Sequence, residues 1–263
     1  ERLVPHIFAE YENDAYFVQG YLHAKFRLWQ MDFQTLAAAG RISEIVGEKA
    51  LPHDREFRRL GMVYAAENAL AAMEANPIAA SMVNSYTNGI NQYIQALHYK
   101  NLPVEYKLLG YEPELWTNLK CALLLKNMAL TLNSGDKDLE MTNALKLFDK
   151  ALIDLVWPDN ENVGDPIVDN TGNWNFTPVK LDGWPMALPD ELVNVKPLEK
   201  SPPDVGSNNW AVSGSKTHSG APILCNDPHL NLSLPSIWYI IHLQAPGINV
   251  MGASLPGSPT VIS

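Results

Sequence analysis

Apolar side chains recur at steps of three and four residues through much of the first 156 residues, and this spacing predicts a mainly helical region. The longest predicted helix runs from about Asn13 to Ala39 and stops at Gly40. Its predicted core face is an apolar stripe formed by Val18, Leu22, Phe26, Trp29, Phe33 and Leu36. The polar residues of this helix are expected elsewhere, and His23 is expected on the helix surface or in a hydrogen bond rather than as a ligand.

Four further helices are predicted on the same grounds, at roughly 55–74, 77–97, 118–132 and 136–156. Asn76 followed by Pro77 is the pattern of an N-cap residue before a proline at the first helical position. Thr117 is predicted to cap the helix at 118–132. The segment between these two helices is interrupted by prolines and a glycine, which predicts a connector.

The helical pattern ends before residues 157–206, where Asp and Asn are frequent and periodicity is absent. Eight prolines interrupt any regular element there: Pro158, Pro166, Pro178, Pro185, Pro189, Pro197, Pro202 and Pro203. A stretch of this length without secondary structure is unusual inside a compact domain. We therefore predict a spacer at 157–206.

From Ser207 onwards the apolar residues alternate with polar ones, which predicts strands. These strands are expected at about 209–217, 221–228, 236–245 and 248–254, with a turn at 218–220 joining the first two. Strands that follow one another in this way favour an antiparallel sheet, and another strand is expected at the N-terminus, around 3–10. The fold class is therefore α+β, and the unfinished sheet suggests part of a larger protein.

Composition limits the classes of function. The chain is 46% hydrophobic and 18% charged, which predicts a sizeable core, and its net charge of −10 argues against a nucleic-acid partner. No apolar run approaches the roughly 20 residues that a membrane span needs. The apolar surroundings of Cys121 and Cys225 favour buried free thiols, although one disulfide is possible.

Gly206-Ser207, at the end of the spacer, is the candidate chemical site. If this peptide bond is cut, Ser207 becomes an N-terminal residue whose own α-amine has a pKa of roughly 7.7–8, which suits a general base. One residue then supplies both nucleophile and base, as in the N-terminal variant of acyl-transfer catalysis. The alternative is an ordinary Gly-Ser turn that enters a strand.

Five ordered blocks of sequence carry a family resemblance: PHIFAEYENDAYFVQGYLHAKFRLWQMD, GRISEIVG, GSNNWAV, NDPHL and LPGSP. They resemble the penicillin acylase family of N-terminal nucleophile hydrolases, on the side of the acyl-homoserine-lactone, aculeacin and cephalosporin acylases. The resemblance implies an αββα sandwich and a precursor that cuts itself at Gly206-Ser207. Residues 1–156 then form an α-chain region, 157–206 a released spacer, and 207–263 the start of a β chain. The remainder of that β chain, with the oxyanion-hole residues, is expected beyond Ser263.

The function that the resemblance implies is hydrolysis of the amide bond of a small N-acyl compound, such as an N-acyl-homoserine lactone or a penicillin, through an acyl-enzyme. It implies no organic cofactor, the rest of the β chain as partner, and a periplasmic or secreted location. A competing hypothesis is a non-catalytic homologue, or an unprocessed precursor fragment whose Ser207 stays in peptide linkage.

Three residues near the strands match family positions beside the nucleophile. His229 in NDPHL is implied to orient the serine hydroxyl or a bridging water, and a histidine here favours the homoserine-lactone and cephalosporin branch. Its alternative role is a polar residue at a strand end. Asn208 and Leu230 are implied to lie beside the nucleophile and to line the acyl pocket. Asp227, two residues before His229, is expected on the same face of the strand.

The α-chain region contributes further candidates by resemblance. Leu132, Asn133 and Ser134 are implied to face the acyl group, and Glu140 is implied to bind a structural Ca²⁺. A carboxylate suits Ca²⁺, but a complete site needs six or more oxygen ligands, and the others are expected in the missing part. The alternative for Glu140 is a solvated helix face. The histidines show no metal-ligand spacing, and no glycine-rich phosphate loop is present.

Overall fold

The structure, a computed structural model, describes residues 3–132, 138–148, 150–156, 206–230 and 232–263, and of residues 138–140 only the backbone. Its helices are α1 (Glu12–Ala39), α2 (Ser43–Val46), α3 (Leu51–Arg59), α4 (Met62–Ala75), α5 (Pro77–Gln95), α6 (Val104–Leu109), α7 (Asn118–Thr131), α8 (Asp138–Leu147) and α9 (Lys150–Val156). Its strands are β1 (His6–Phe8), β2 (Ser207–Val212), β3 (Ile223–Pro228), β4 (Tyr239–Ala245) and β5 (Ile248–Ser254). The predicted α+β class is confirmed.

α1 has the predicted extent, but its buried face is only partly the predicted one: Leu36 is buried, and Leu22 and Trp29 are partly buried against core clusters. Phe26 is 54% exposed, whereas Gln19 and His23, predicted to lie off the core face, are completely buried. The reason is that α1 packs closely against α5 at Gly20, which lies beside Gln19 in sequence and one turn before His23, and His23 makes a hydrogen bond to Tyr86 of α5. The large aromatic residues are displaced to its flank, where Trp29 stacks on Phe33 with ring centroids 4.9 Å apart.

Two glycines allow the backbones of α1 and α5 to touch. A Cβ atom on Gly20 would overlap the carbonyl oxygen of Tyr86, and a Cβ on Gly89 would overlap the carbonyl oxygen of Phe17. Because both obstacles are helix backbone, neither can move aside locally. The largest helical core cluster is built around this crossing and contains Ala24, Leu28, Met31, Val83, Tyr86, Ile90, Tyr106, Trp116 and Cys121.

Local signals located the start of α5 correctly but missed two helix breaks. Asn76 Oδ1 accepts hydrogen bonds from the backbone N–H groups of Ile78 and Ala79 at 3.0 and 3.2 Å, as an N-cap does. The single helix predicted at 55–74 is instead α3 and α4, since the chain adopts a left-handed conformation at Gly61 with φ 68°. The helix predicted at 136–156 likewise comprises α8 and α9.

Two smaller details differ from expectation in the connector before α7. The segment contains the short helix α6, which the proline and glycine pattern did not predict. Thr117 occupies the N-cap position of α7, but its side chain makes no capping hydrogen bond. The connector therefore contains more helix than its prolines and glycine suggest.

The strands form two sheets in the described part of the chain. β2 and β3 pair antiparallel, as predicted, and β4 and β5 also pair antiparallel. β1 joins the second sheet by parallel pairing with β4, which places His6 opposite His242 with their Nδ1 atoms 3.0 Å apart. The prediction did not include this parallel pairing, because a β1–β4 contact spans almost the entire chain. The inner face of this sheet contributes Ile7, Ile241 and Leu243 to a cluster shared with α1.

The chain divides into two compact units, one of residues 1–133 with 201–263 and the other of residues 134–200. The first unit contains α1 to α7 and all five described strands, so the helical region and the strands after Ser207 belong together. The second contains α8 and α9. The predicted spacer lies outside the described residues except for Gly206. Among the helices that the structure describes, none is long and apolar enough to cross a membrane.

Candidate active site

Ser207 is the first residue of β2 and lies opposite Pro228, the last residue of β3. This register follows from the hairpin that the two strands form, because six consecutive residue pairs fix their alignment. The chain leaving β3 therefore passes directly beside Ser207. The next residue along it is His229, so the hairpin brings together two residues that are 22 positions apart in sequence.

The backbone N–H of His229 lies between two acceptors of the Gly206-Ser207 pair. It donates to the carbonyl oxygen of Gly206 at 3.1 Å and to the hydroxyl oxygen of Ser207 at 3.3 Å. One donor thus contacts both the carbonyl of the candidate scissile bond and the candidate nucleophile. Among the residues that the structure describes, none lies within 4 Å of a Cβ atom added to Gly206, so their packing does not require a glycine there.

The imidazole ring of His229 contacts a carboxylate rather than the serine in the described residues. Its Nε2 lies 2.6 Å from Oδ2 of Asp227, and both side chains are about half exposed. The expectation that these residues share a face is therefore confirmed by their contact. Asp227 was not included among the site residues, although its position two before His229 was the available signal. A carboxylate at Nε2 favours the tautomer with the proton on Nε2 and leaves Nδ1 as an acceptor.

Asn208 and Leu230 flank this group. Asn208 pairs with Asp227 across the hairpin, and Leu230 follows His229 with a half-buried side chain. Beyond it, Leu232 and Leu234 expose their side chains fully. Three leucines thus alternate with polar residues in the chain that follows His229.

The structure describes only part of the candidate residues from the α-chain region. Leu132 is the C-cap residue of α7 and is 59% exposed. Asn133 and Ser134 lie outside the described residues, and Glu140 lies in α8 with its side chain outside the description. Within the described part of the chain, no group of three or more His, Cys, Asp or Glu side chains is placed to hold a metal ion. The calcium site remains a prediction.

Both cysteines are free, which confirms the prediction of free thiols. Cys121 is buried and accepts a hydrogen bond from Trp116 Nε1 at 3.2 Å, whereas Cys225 on β3 is only partly buried. Burial raises the pKa of the Cys121 thiol to about 11. Because the thiolate is the nucleophilic form, Cys121 is not a competitor of Ser207 for nucleophilic chemistry.

Comparisons with known proteins identify what the whole chain is similar to. A family model described as penicillin amidase matches residues 1–263. The chain is 31% identical over 264 residues to an acyl-homoserine lactone acylase, QuiP, of Pseudomonas aeruginosa, covering 95% of this chain and 29% of that protein. It is 32% identical over 261 residues to the penicillin acylase 2 proenzyme of a Pseudomonas species, strain SE83, covering 97% of this chain and 33% of that protein. The chain thus spans about a third of the length of these relatives.

A solved structure supports the fold. The thermostable penicillin G acylase from Alcaligenes faecalis superposes with a TM-score of 0.50 at 21% identity, over 63% of this chain and 92% of that chain. This likeness confirms the predicted N-terminal nucleophile hydrolase fold.

Proposed function

The chain belongs to the penicillin amidase family, and from that premise we propose that it is part of a self-processing amide hydrolase whose nucleophile is Ser207. The observation that carries the proposal is the position of the His229 N–H, within hydrogen-bond distance of both the Gly206 carbonyl oxygen and Ser207 Oγ. A donor in that position favours reaction between these two groups. The named relatives are acylases, which is the same class of chemistry.

Self-processing begins with attack of Ser207 Oγ on the carbonyl carbon of Gly206. A C–O bond forms, the oxygen of Gly206 takes up negative charge, and the His229 N–H already donates to that oxygen. The C–N bond then breaks, and the serine proton ends on the released amine. Water hydrolyses the resulting ester, which leaves a carboxylate on Gly206 and a free α-amine on Ser207.

The same atoms serve the hydrolysis of substrate. The free α-amine accepts the proton of Ser207 Oγ, directly or through a water, as Oγ attacks the substrate amide. The substrate amine departs with a proton, an acyl-ester remains on Ser207, and water releases the acid and regenerates the serine. The His229 N–H remains a donor to Oγ, and Asp227 holds the neighbouring imidazole in one orientation.

The proposed substrate class rests on the leucines after His229 and on the names of the relatives. We propose an N-acyl compound with an aliphatic or aromatic acyl group, of which acyl-homoserine lactones and penicillins are the two classes to test. Leu230, Leu232 and Leu234 follow His229 along the chain and suit contact with apolar acyl atoms. The calcium ion at Glu140 and the periplasmic or secreted location remain expectations from family resemblance.

The test uses the full-length protein. Intact mass and N-terminal sequencing should find two chains, the second beginning with Ser207, and Ser207→Ala should give one uncut chain without hydrolytic activity. Ser207→Cys, which keeps a nucleophile, is the matched control. A wild-type protein that stays uncut would contradict the proposal. A protein that is cut but hydrolyses none of a panel of acyl-homoserine lactones and penicillins would support the non-catalytic alternative.

A further inference from the structure

A histidine that the proposed chemistry does not use lies in the middle of α1. His23 is completely buried, with Nδ1 2.7 Å from the hydroxyl of Tyr86 and Nε2 2.9 Å from the hydroxyl of Ser254. Tyr86 is also completely buried, on α5, and Ser254 ends β5. A buried imidazole with a hydrogen-bond partner on each ring nitrogen has a fixed ring orientation, and its partners determine which nitrogen carries the proton.

The outer hydrogen bonds of this group determine the direction of the inner ones. The Ser254 hydroxyl donates to the carbonyl oxygen of Tyr239 at 2.7 Å, so its oxygen accepts from His23 Nε2–H. His23 Nδ1 is then an acceptor, and the Tyr86 hydroxyl donates to it while accepting from the backbone N–H of Gly257 at 2.8 Å. We name this chain of groups, from the Gly257 N–H through Tyr86, His23 and Ser254 to the Tyr239 carbonyl, the histidine relay. Burial, with a smaller effect of Arg27, lowers the pKa of His23 to about 3, in keeping with a neutral ring.

The histidine relay joins the two sides of the Gly206-Ser207 bond. His23 and Tyr86 precede that bond in sequence, whereas Tyr239, Ser254 and Gly257 follow it. Residues Leu255–Ser263, which we call the strap, contain Gly257 and continue from β5. Gly257 adopts φ 105°, and a Cβ there would meet Leu124 and Trp116, so the strap packs tightly on the helical region.

The far end of the strap reaches the hairpin that carries Ser207. Val261 forms a β-bridge with Ser254, and the carbonyl of Ser263 accepts a hydrogen bond from the Ala253 N–H at 2.6 Å. Ser263 Oγ then donates to Asn226 Oδ1 on β3 at 2.9 Å. Asn226 pairs with Asn209, which is two residues after Ser207.

Within the described residues, the hairpin that the strap contacts has mostly exposed side chains. Five of the six residues of β2 and four of the six of β3 are exposed, so the hairpin has little buried surface of its own. A two-stranded hairpin by itself is marginally stable. We propose that the histidine relay is a positioning device: by fixing the strap, it holds the β2–β3 hairpin in the geometry in which Ser207 attacks Gly206. This role of His23 and Tyr86 rests on the proposed function.

The first experiment compares two buried tyrosines in the full-length protein. Tyr86→Phe removes one hydroxyl from the histidine relay, and Tyr106→Phe removes one hydroxyl that donates to Asp32 at 3.2 Å and does not belong to the relay. Both tyrosines are completely buried, and each variant leaves buried groups without their hydrogen bond, two groups for Tyr86 and one for Tyr106. Below the unfolding temperature of both variants, Tyr86→Phe should slow cleavage of the Gly206-Ser207 bond about tenfold or more, and Tyr106→Phe should not. Equal rates in the two variants would overturn the proposal.

Three further variants test two points of the path, His23 in the histidine relay and Gly252 beside the end of the strap. His23→Gln restores one donor and one acceptor, so it should recover part of the cleavage rate that His23→Phe loses. Gly252→Ala should slow cleavage as well, because a Cβ there would overlap the carbonyl oxygen of Ser263 at the end of the strap. No recovery by His23→Gln, together with a normal rate in Gly252→Ala, would contradict a positioning role.

Amide hydrogen exchange separates this inference from the proposed function. Tyr86→Phe should speed exchange of the β2 and β3 amides relative to Tyr106→Phe, whether or not the bond is ever cut. If the wild-type protein is not cleaved but the hairpin amides respond in this way, the proposed function fails and the support of the hairpin stands. If wild type is cleaved and the hairpin amides do not respond, the histidine relay has no positioning role.

Discussion

The crossing of α1 with α5 and the hairpin of β2 with β3 differ in what surrounds them. At the crossing, glycines bring two helix backbones together, and Tyr86 and Ile90 beside it are completely buried. In the hairpin, most side chains are exposed, and Trp210 is 50% and Leu224 80% exposed. The crossing contributes buried packing, whereas the hairpin carries the proposed reactive groups Ser207 and His229. Substitutions that disturb only the packing of the crossing should therefore differ in effect from substitutions in the hairpin, and the histidine relay is the proposed link between the two.

The largest effect should come from adding one methyl group at the crossing. Gly89→Ala places a Cβ against the backbone of Phe17, which cannot relax locally, and we expect a loss of about 4 kcal/mol of unfolding free energy. Gly206→Ala, at the residue before β2, is the matched control, because a Cβ there meets nothing within 4 Å among the described residues, and its effect should stay within about 0.5 kcal/mol. Urea denaturation measures both. Similar losses in the two variants would remove the distinction between the regions.

The second-largest effect is expected from replacing Asp32, a buried aspartate of α1, with asparagine. Asp32 is buried and accepts from Lys120 Nζ at 3.0 Å, so Asp32→Asn leaves a buried lysine without its full counter-charge and should cost about 3 kcal/mol. Glu114, whose carboxylate lies 3.3 Å from Lys120 Nζ, moderates this loss. Chemical denaturation at neutral pH is the measurement. A loss below about 1 kcal/mol would indicate that Glu114 alone compensates the lysine.

A smaller loss of stability is expected when the pH is lowered, because His23 is buried in its neutral form. The folded-state pKa of His23 is lowered to about 3 from 6.5, so between these values the unfolded state binds more protons than the folded state, and stability falls as pH falls. From pH 7 to pH 5 this residue should account for a loss of about 2 kcal/mol. The His23→Gln variant should show a shallower pH dependence over this interval. Identical slopes for wild type and variant would contradict a neutral buried imidazole.

The smallest effect on stability, with a visible effect on chemistry, is expected at Asp227. Asp227→Asn weakens a hydrogen bond between two side chains that are about half exposed, so the unfolding free energy should change by less than about 1 kcal/mol. The rate of cleavage at Gly206-Ser207 should nevertheless fall, because the ring of His229 loses the carboxylate that orients it. Denaturation and a time course of cleavage, run on the same preparation, provide the comparison. An unchanged cleavage rate would exclude Asp227 from the site.

The features that could be predicted from the sequence are those that depend on residues close together in the chain. The N-cap at Asn76, the alternation in β2 and β3, and the proximity of Asp227 to His229 all depend on residues a few positions apart, and each was found. The buried face of α1 and the parallel pairing of β1 with β4 depend on contacts between distant segments. Hydrophobic periodicity cannot show that glycines bring α5 so close that Gln19 and His23, rather than Phe26, are buried.

The candidate site was predictable to a similar extent. Ser207 and His229 were identified from residue types and family resemblance, and the hairpin brings them together. The sequence did not indicate that the backbone of His229, rather than its ring, contacts Ser207, since every residue except proline has a backbone N–H. The histidine relay was missed for a related reason: nothing in the sequence links His23 to Ser254, which is 231 residues away.

The parallel pairing of β1 with β4 has a consequence for refolding. His6 and His242 are 236 residues apart, so an uncut chain that refolds must close a long loop, a step whose rate does not depend on protein concentration. Once the Gly206-Ser207 bond is cut, β1 and β4 belong to different polypeptides, and the same pairing becomes an association of two molecules. Recovery after denaturation should then depend on concentration, and dilution should favour the separated chains.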